Sequence, residues 1–225
     1  MLILGIESAT LQVGCAIGGH EGVIALFESI KGRRHAETLV PAIDFVRRQA
    51  QIELDEISVV AVDIGPGLFT GLRVGLATAK AVAHALRVPM IGIPSLDLLA
   101  FPARYTSRLI AAVIDARRGE VFSALYRQVP AGVQRVSPFS VGRPDDLAAE
   151  LALAGDDVLL IGDGALRYKE AFADLRRVEF AAPLVQLAHA RALREEWVNH
   201  WDLEPLYLRK PDAHINWQTR QGAGR

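Results

Sequence analysis

The sequence predicts an α/β protein of two similar lobes, each a mixed sheet with flanking helices, and three observations carry that prediction. Short apolar runs bounded by turn residues alternate with stretches of helical spacing. Their order, three strands, then helix, strand, helix and strand, is that of a mixed sheet with helical crossovers. Near residue 109 a new apolar run with a hairpin partner starts the same plan again. We expect a first lobe over residues 1–105, a second lobe with a packed tail over 106–218, and disorder over 219–225.

The elements follow in order. Runs 2–7, 12–17 and 23–29 read as strands, the last two separated by Gly18-Gly19-His20-Glu21-Gly22, so an antiparallel meander opens the chain. Residues 36–51 repeat Ala36, Leu39, Val40, Ile43, Val46 and Ala50 at helical spacing, which predicts one amphipathic helix. Run 57–64 is apolar nearly throughout, as in a strand covered on both faces. After Gly65-Pro66-Gly67 comes an Ala/Gly-rich helix over 69–86, then a strand over 88–93. Beyond it, 109–115 and 120–127 should pair across Arg117-Arg118-Gly119, 145–153 should be helical, and 158–161 should form a strand before Gly162-Asp163-Gly164. A helix opened by Pro183 is expected over 183–197, and 205–218, which has no clean period, should lie extended on the body.

Composition narrows the function classes. With 51% apolar and 23% charged residues in 225, the chain can bury one or two cores. Its 25 basic and 26 acidic residues leave a net charge of −1, so the molecule as a whole has little attraction for phosphate backbones or anionic membranes. No apolar window is long enough to span a bilayer, and MLILGIESATLQVG lacks a basic region before its apolar run, so a cytoplasmic location without membrane contact is expected. A single cysteine, Cys15, excludes an internal disulfide and reads as a buried thiol.

Four places could carry chemistry. Glycines and a hydroxyl precede the 69–86 helix in Gly65-Pro66-Gly67-Leu68-Phe69-Thr70-Gly71, where an anion could meet free N–H groups, but no Lys follows at the P-loop spacing, and close packing of a strand–loop–helix corner explains Gly67 as well. Glu7, Ser8 and Thr10 end the first strand, where an acid can hold Mg²⁺ through water and hydroxyls can touch phosphate. The hydroxyls could equally satisfy turn backbone, and both readings stand. Asp115 and Arg117 bracket a sharp turn at a strand end, suited to ordering a loop or receiving a partner. Lys31, Arg33 and Arg34 form the densest basic cluster, which reads as an exposed loop, with tRNA backbone contact the minority alternative. The six histidines form no HxxxH or HExxH pair, so no metal site is expected.

Six segments, MLILGIESAT, RRHAETLVPAI, DIGPGLFTGLRVGLATAKAVAHAL, PMIGIPSLDLLA, DARRGEVFSALY and PLYLRKPDA, together resemble the TsaB (YeaZ) family along nearly the whole chain. The resemblance implies the ribonuclease-H-like fold of the actin/Hsp70/sugar-kinase superfamily and a role beside the paralogue TsaD and the ATPase TsaE. In that pathway TsaD transfers threonylcarbamoyl to the adenosine next to the anticodon of tRNA. TsaD carries a metal-binding histidine pair in a motif resembling N-H-L-E-G-H; at the matching positions this chain has Ser95 and Leu99. The SGGHT phosphate element of TsaD is replaced by Asp115-Ala116-Arg117-Arg118-Gly119. The resemblance thus implies a fold without its reaction centre: no catalytic residue, no metal and no cofactor.

The expected function is a non-catalytic subunit that dimerises with TsaD, forms a homodimer when alone, and meets tRNA only through the complex. The alternative is a small ATP-dependent phosphotransferase of the same superfamily using Glu7, Thr10, Gly67 and Gly164; a glycoprotease would need a metal or nucleophile constellation that the sequence lacks. The partner surface is expected on Leu39, Ile43 and Val46 of the first helix and on Gly71, Leu72, Gly75, Thr78, Ala79, Val82 and Ala83 of the second. A sheet covers one side of the 69–86 helix, and small residues on the other would let a second helix approach closely. Arg73, Lys80, His84 and Arg87 fall on one narrow stripe around that helix.

Overall fold

A computed structural model describes residues 1–30, 35–130, 132–155, 157–173, 175–178 and 184–208. Three strands open the chain, β1 (Leu2–Glu7), β2 (Val13–Gly19) and β3 (Gly22–Ser29), followed by helix α1 (His35–Ala50), β4 (Ile57–Asp63), α2 (Phe69–Leu86) and β5 (Met90–Ile93). They make one sheet in the order β3-β2-β1-β4-β5, antiparallel in the meander and parallel from β1 to β5. A short helix α3 (Ser95–Ala100) leads to β6 (Leu109–Arg117), β7 (Glu120–Val129), β8 (Gly132–Arg135), β9 (Ser140–Gly142), α4 (Pro144–Ala154), β10 (Val158–Ile161), α5 (Asp163–Arg167) and β11 (Arg176–Val178). The second sheet runs β11-β10-β6-β7-β8, with β9 pairing β7. Read from β8 to β11 this is the first sheet's order again, so the chain repeats one folding plan.

The central strands of each sheet are buried on both faces, which is why they are apolar nearly throughout. On the first, Leu39, Ala42, Ile43 and Val46 of α1 and Leu76, Ala79 and Ala83 of α2 pack against Leu4, Ile6, Val60 and Val62. The other face holds Ile3, Val59, Ala61 and Ile91 under a last helix, α6 (Leu184–Leu193), through Leu184, Ala188 and Ala192. Cys15 sits in the first core, where burial pushes its thiol up to about 12. On the second sheet, α3 covers one face through Leu96, Leu99 and Ala100, and α4 and α5 cover the other.

Two expectations change. Of the segment placed by sequence in the second lobe, residues 184–206 pack on the first: α6 lies on its sheet, Val198 bridges Met90 beside β5, and the Leu206 N–H donates to the Ile64 carbonyl, whereas Leu208 packs on the second core as expected. The helix expected over 183–197 ends at Leu193, where Glu195 turns to φ 56° and the Glu196 N–H returns to the Arg191 carbonyl. Residues 205–208 have no regular element, as expected, and 209–218 and 219–225 lie outside the described residues.

The corner between β1 and α2 is set by glycines. A β-carbon on Gly67 would run into the carbonyl of Ala9, and one on Gly75 into the Ser8 hydroxyl. Through this contact the Leu68 N–H donates to Ala9 O at 2.6 Å and Ser8 Oγ to Gly71 O at 2.8 Å. We predict that Gly67→Ala lowers the unfolding free energy by about 2 kcal/mol or more, because the obstructing group is backbone. Gly142, which has open space where a β-carbon would stand, should accept Ala within about 0.5 kcal/mol. Urea denaturation of both variants checks this, and equal stabilities would refute the corner's tightness.

Candidate interlobe cleft and helix surface

Parallel strands end in carboxylates, and the two lobes bring them to one cleft. Glu7 closes β1 and Asp63 closes β4; in the second lobe Asp115 stands near the end of β6 and Asp163 just beyond β10. A cavity between the lobes is lined by Glu7, Thr10, Asp63, Ser95, Leu99 and Asp163, among others. Crevices outside the carboxyl ends of parallel strands are the usual ligand position in open α/β sheets.

The acids differ in their surroundings. Glu7 is buried, and its carboxyl is raised well above the ordinary range, first by burial, then by the charges of Asp63 and Glu28. Asp63 is pushed up to about 7 by burial, against the pull of two hydrogen bonds: its Oδ1 accepts from Ser95 Oγ at 2.6 Å and from the Gly65 N–H at 2.8 Å. Asp163 is also raised, chiefly by burial, and accepts the Asp115 N–H at 3.1 Å. Asp115 itself is well supplied: Arg117 at 3.0 Å and Arg167 at 3.3 Å pair with Oδ2, while Tyr168 Oη and the Arg117 N–H donate to Oδ1. These contacts hold a turn in which Arg117, Arg118 and Gly119 all have positive φ.

The remaining expected residues fall as follows. Ser8 and Thr10 satisfy backbone: Ser8 Oγ donates to Gly71 O, and Thr10 Oγ1 accepts the Gln12 N–H. Gly67 is pressed on Ala9, so the side of the turn where its β-carbon would stand is taken by the Ala9 backbone. Lys31, Arg33 and Arg34 lie outside the described residues. The partner surface needs correction. Leu39, Ile43, Val46, Leu72, Ala79 and Ala83 are core residues, and Gly71 and Gly75 face the sheet, so these eight are covered by the chain itself. Thr78 and Val82 are half-buried. The outward stripe of α2 is Thr70, Arg73, Ala77, Ala81 and His84, returning every three to four residues. Beside it α1 exposes Val40, 62% accessible, and Phe45.

Sequence reasoning missed Asp63, Asp97 and Asp163. Asp63 ends an apolar run as Asp115 does, and that shared signal could have found it. Asp97 joins the lobes: it receives Tyr126 Oη at 2.9 Å and Arg191 at 3.0 Å.

The repeated β-β-β-α-β-α-β plan and its strand-end acids define a two-lobed ribonuclease-H-like protein. Comparison with known proteins agrees. YeaZ from Pseudomonas aeruginosa superposes with a TM-score of 0.80 at 25% identity, covering 92% of this chain and 99% of that one. TsaB, the tRNA threonylcarbamoyladenosine biosynthesis protein of Bacillus subtilis (strain 168), is 28% identical over 98% of this chain and 100% of its own length. An uncharacterized protein of Mycobacterium leprae (strain TN) is 34% identical over 94% of this chain, which spans only 56% of that relative. A family model described as "TsaD: tRNA N6-adenosine threonylcarbamoyltransferase" matches residues 29–217. The chain belongs to this family, within it to the TsaB (YeaZ) proteins.

Asp63 keeps its proton up to about 7 when folded, against an ordinary 3.8. Between those values the folded chain holds a proton that the unfolded chain has lost, so stability falls as pH rises through the window and levels off above it. Asp63→Asn keeps an oxygen for Ser95 and Gly65 and removes that proton. We predict a smaller loss of stability for the variant than for the parent chain between about pH 5 and about pH 8. Equal losses in urea titrations would contradict the assignment.

Proposed function

We propose that this chain is the non-catalytic partner subunit of the tRNA threonylcarbamoyladenosine machinery, pairing with TsaD, acting beside the ATPase TsaE, and meeting tRNA through that assembly. The observation that carries the non-catalytic reading is the pair Ser95 and Leu99. They stand where the resemblance places the metal-binding histidines of TsaD. Ser95 Oγ is committed to Asp63, and Leu99 is hydrocarbon packed into the second core. Such a donor set does not fit an iron or zinc ion. The turn where a phosphate loop would need room is occupied by Gly67 against Ala9.

A pairing role is supported by the outer faces of α1 and α2, which touch each other on one side of the first sheet. Helix α2 contains no acidic residue, and its exposed stripe is small and basic, while Val40 and Phe45 leave apolar surface uncovered beside it. Small residues let a second helix approach closely, and a specific pairing of standard size would bury about 1,200–2,000 Å². The same face would serve a homodimer when TsaD is absent, since a two-fold pairing uses one patch twice.

The strand-end acids Glu7 and Asp63 are what favours the phosphotransferase alternative, and calorimetry with MgATP separates the two: heat that saturates at one nucleotide per chain would support the enzyme reading. For the pairing reading, charge placed on opposite faces of α2 should split. Ala83→Glu puts a carboxylate in the core and should fail to fold. Ala81→Glu lies on the exposed stripe and should fold, yet weaken TsaD binding by at least about 100-fold, because pairing would bury an unpaired carboxylate. Unchanged TsaD binding by a folded Ala81→Glu chain removes this helix from the interface.

A further inference from the structure

After α6 the chain crosses the edge of the first sheet at the Val198–Met90 bridge and runs back along α2, where Tyr207 lies against Phe69 and its hydroxyl meets Arg73 Nε at 3.2 Å. At the far end of the same helix this segment turns through 199–202, the Asp202 N–H donating to the Asn199 carbonyl. The turn brings His200 to His84, 116 positions earlier in the chain, with ring centroids 5.7 Å apart. Trp201 stacks at a tilt on both, 4.6 Å from the His200 ring and 5.7 Å from that of His84.

Two further observations single out this pair. The Nε2 atom of His200 is buried and has no hydrogen-bond partner, a costly state for a ring nitrogen. Beside it opens a surface cavity of about 550 Å³ lined by His84, Arg87, Val88 and His200 together with Ala83 and Ala85. Two imidazoles that share one metal at about 2.0–2.1 Å per nitrogen place their ring centroids roughly 4.5–5.5 Å apart, so these two rings need to close by only a few tenths of an ångström. His20 and His189 also meet, at 5.9 Å, but neither ring has a buried nitrogen without a partner.

We propose that His84 and His200 form a two-imidazole site for a late first-row divalent ion, Zn²⁺ or Cu²⁺, which clasps the 199–202 turn onto the end of α2. Among the described residues no three metal-ligating side chains converge, so water or a partner's side chain completes the coordination. Arg87 lines the same cavity, and its positive charge opposes a cation. That opposition restricts the site to ions that bond strongly to imidazole, and excludes Mg²⁺ and Ca²⁺, which prefer oxygen ligands.

The test uses the full chain, stripped with chelator and dialysed, then titrated calorimetrically with Zn²⁺ and separately with Mg²⁺, with thermal unfolding followed in parallel. The expected result is a single Zn²⁺ per chain, a raised Tm and no heat from Mg²⁺. His84 is exposed, so His84→Asn should fold normally. Loss of a supporting outer-shell partner already costs metal affinity about 10–100-fold, so His84→Asn and His200→Asn should each weaken Zn²⁺ binding by at least about tenfold. His20→Asn should leave it unchanged. No Zn²⁺ binding at millimolar concentration, or equal binding by parent and His84→Asn, overturns the proposal.

Discussion

The turn into helix α2 lies as close to the chain after β1 as two backbones allow, and much of the molecule follows from that contact. Gly67 rests on Ala9 and Gly75 on the Ser8 side chain, with the Leu68 N–H and Ser8 Oγ hydrogen bonds locking the approach. A side chain at Gly67 would force the two backbones apart, and one at Gly75 would displace the Ser8 hydroxyl from its hydrogen bond. Because the helix is held down, Leu72, Leu76, Ala79 and Ala83 reach the core and Arg73, Ala77, Ala81 and His84 must face away from it. Because Gly67 is pressed on Ala9, the turn after β4 is held against the chain that follows β1.

The duplicated plan places acids at equivalent strand ends, but the lobes treat them differently. In the second lobe Asp115 is balanced by Arg117, Arg167 and Tyr168 and orders a turn. In the first, Glu7 and Asp63 are buried near each other, and both are raised in pKa chiefly by that burial. Protonated, they are a tolerable lining for a cleft; ionised together, they would repel. The lobes are further tied by Asp97, which connects α3, β7 and α6 through Tyr126 and Arg191. Residues 184–208 complete the tie: α6 and Val198 return to the first sheet, and Leu208 packs on the second core.

Much of this is legible in the sequence, and the failures have physical reasons. Helix α2 falls at the bounds its spacing predicts, since an Ala/Gly-rich stretch free of Pro and acidic residues ends where Arg87 adopts φ 57° ahead of Pro89. Its outward face is misread for the same compositional reason: with small and apolar residues on all sides, the helix offers little contrast, and of the exposed stripe only Thr70, Arg73 and His84 are polar. Helices α3 and α5 and strands β9 and β11 have three to six residues, too few to show a period. The return of α6 to the first lobe cannot be read from spacing, because an apolar stripe does not say which sheet it will cover. Among the site residues, Ser95 and Leu99 are visible as types, whereas the grip of Ser95 on Asp63 is a contact across 32 residues that only the fold creates.

The central claim is that this chain supports tRNA modification through shape and surface, with no chemistry in its own cleft. The most direct test is threonylcarbamoyl transfer to tRNA by TsaD and TsaE reconstituted with a chain carrying Glu7→Gln and Asp63→Asn together. Both changes remove a buried titratable carboxyl while keeping the side-chain outlines, so the chain should fold and pair normally. Transfer at the rate seen with the parent chain is the predicted result; transfer lost while TsaD pairing stays intact would show that the cleft takes part in the reaction.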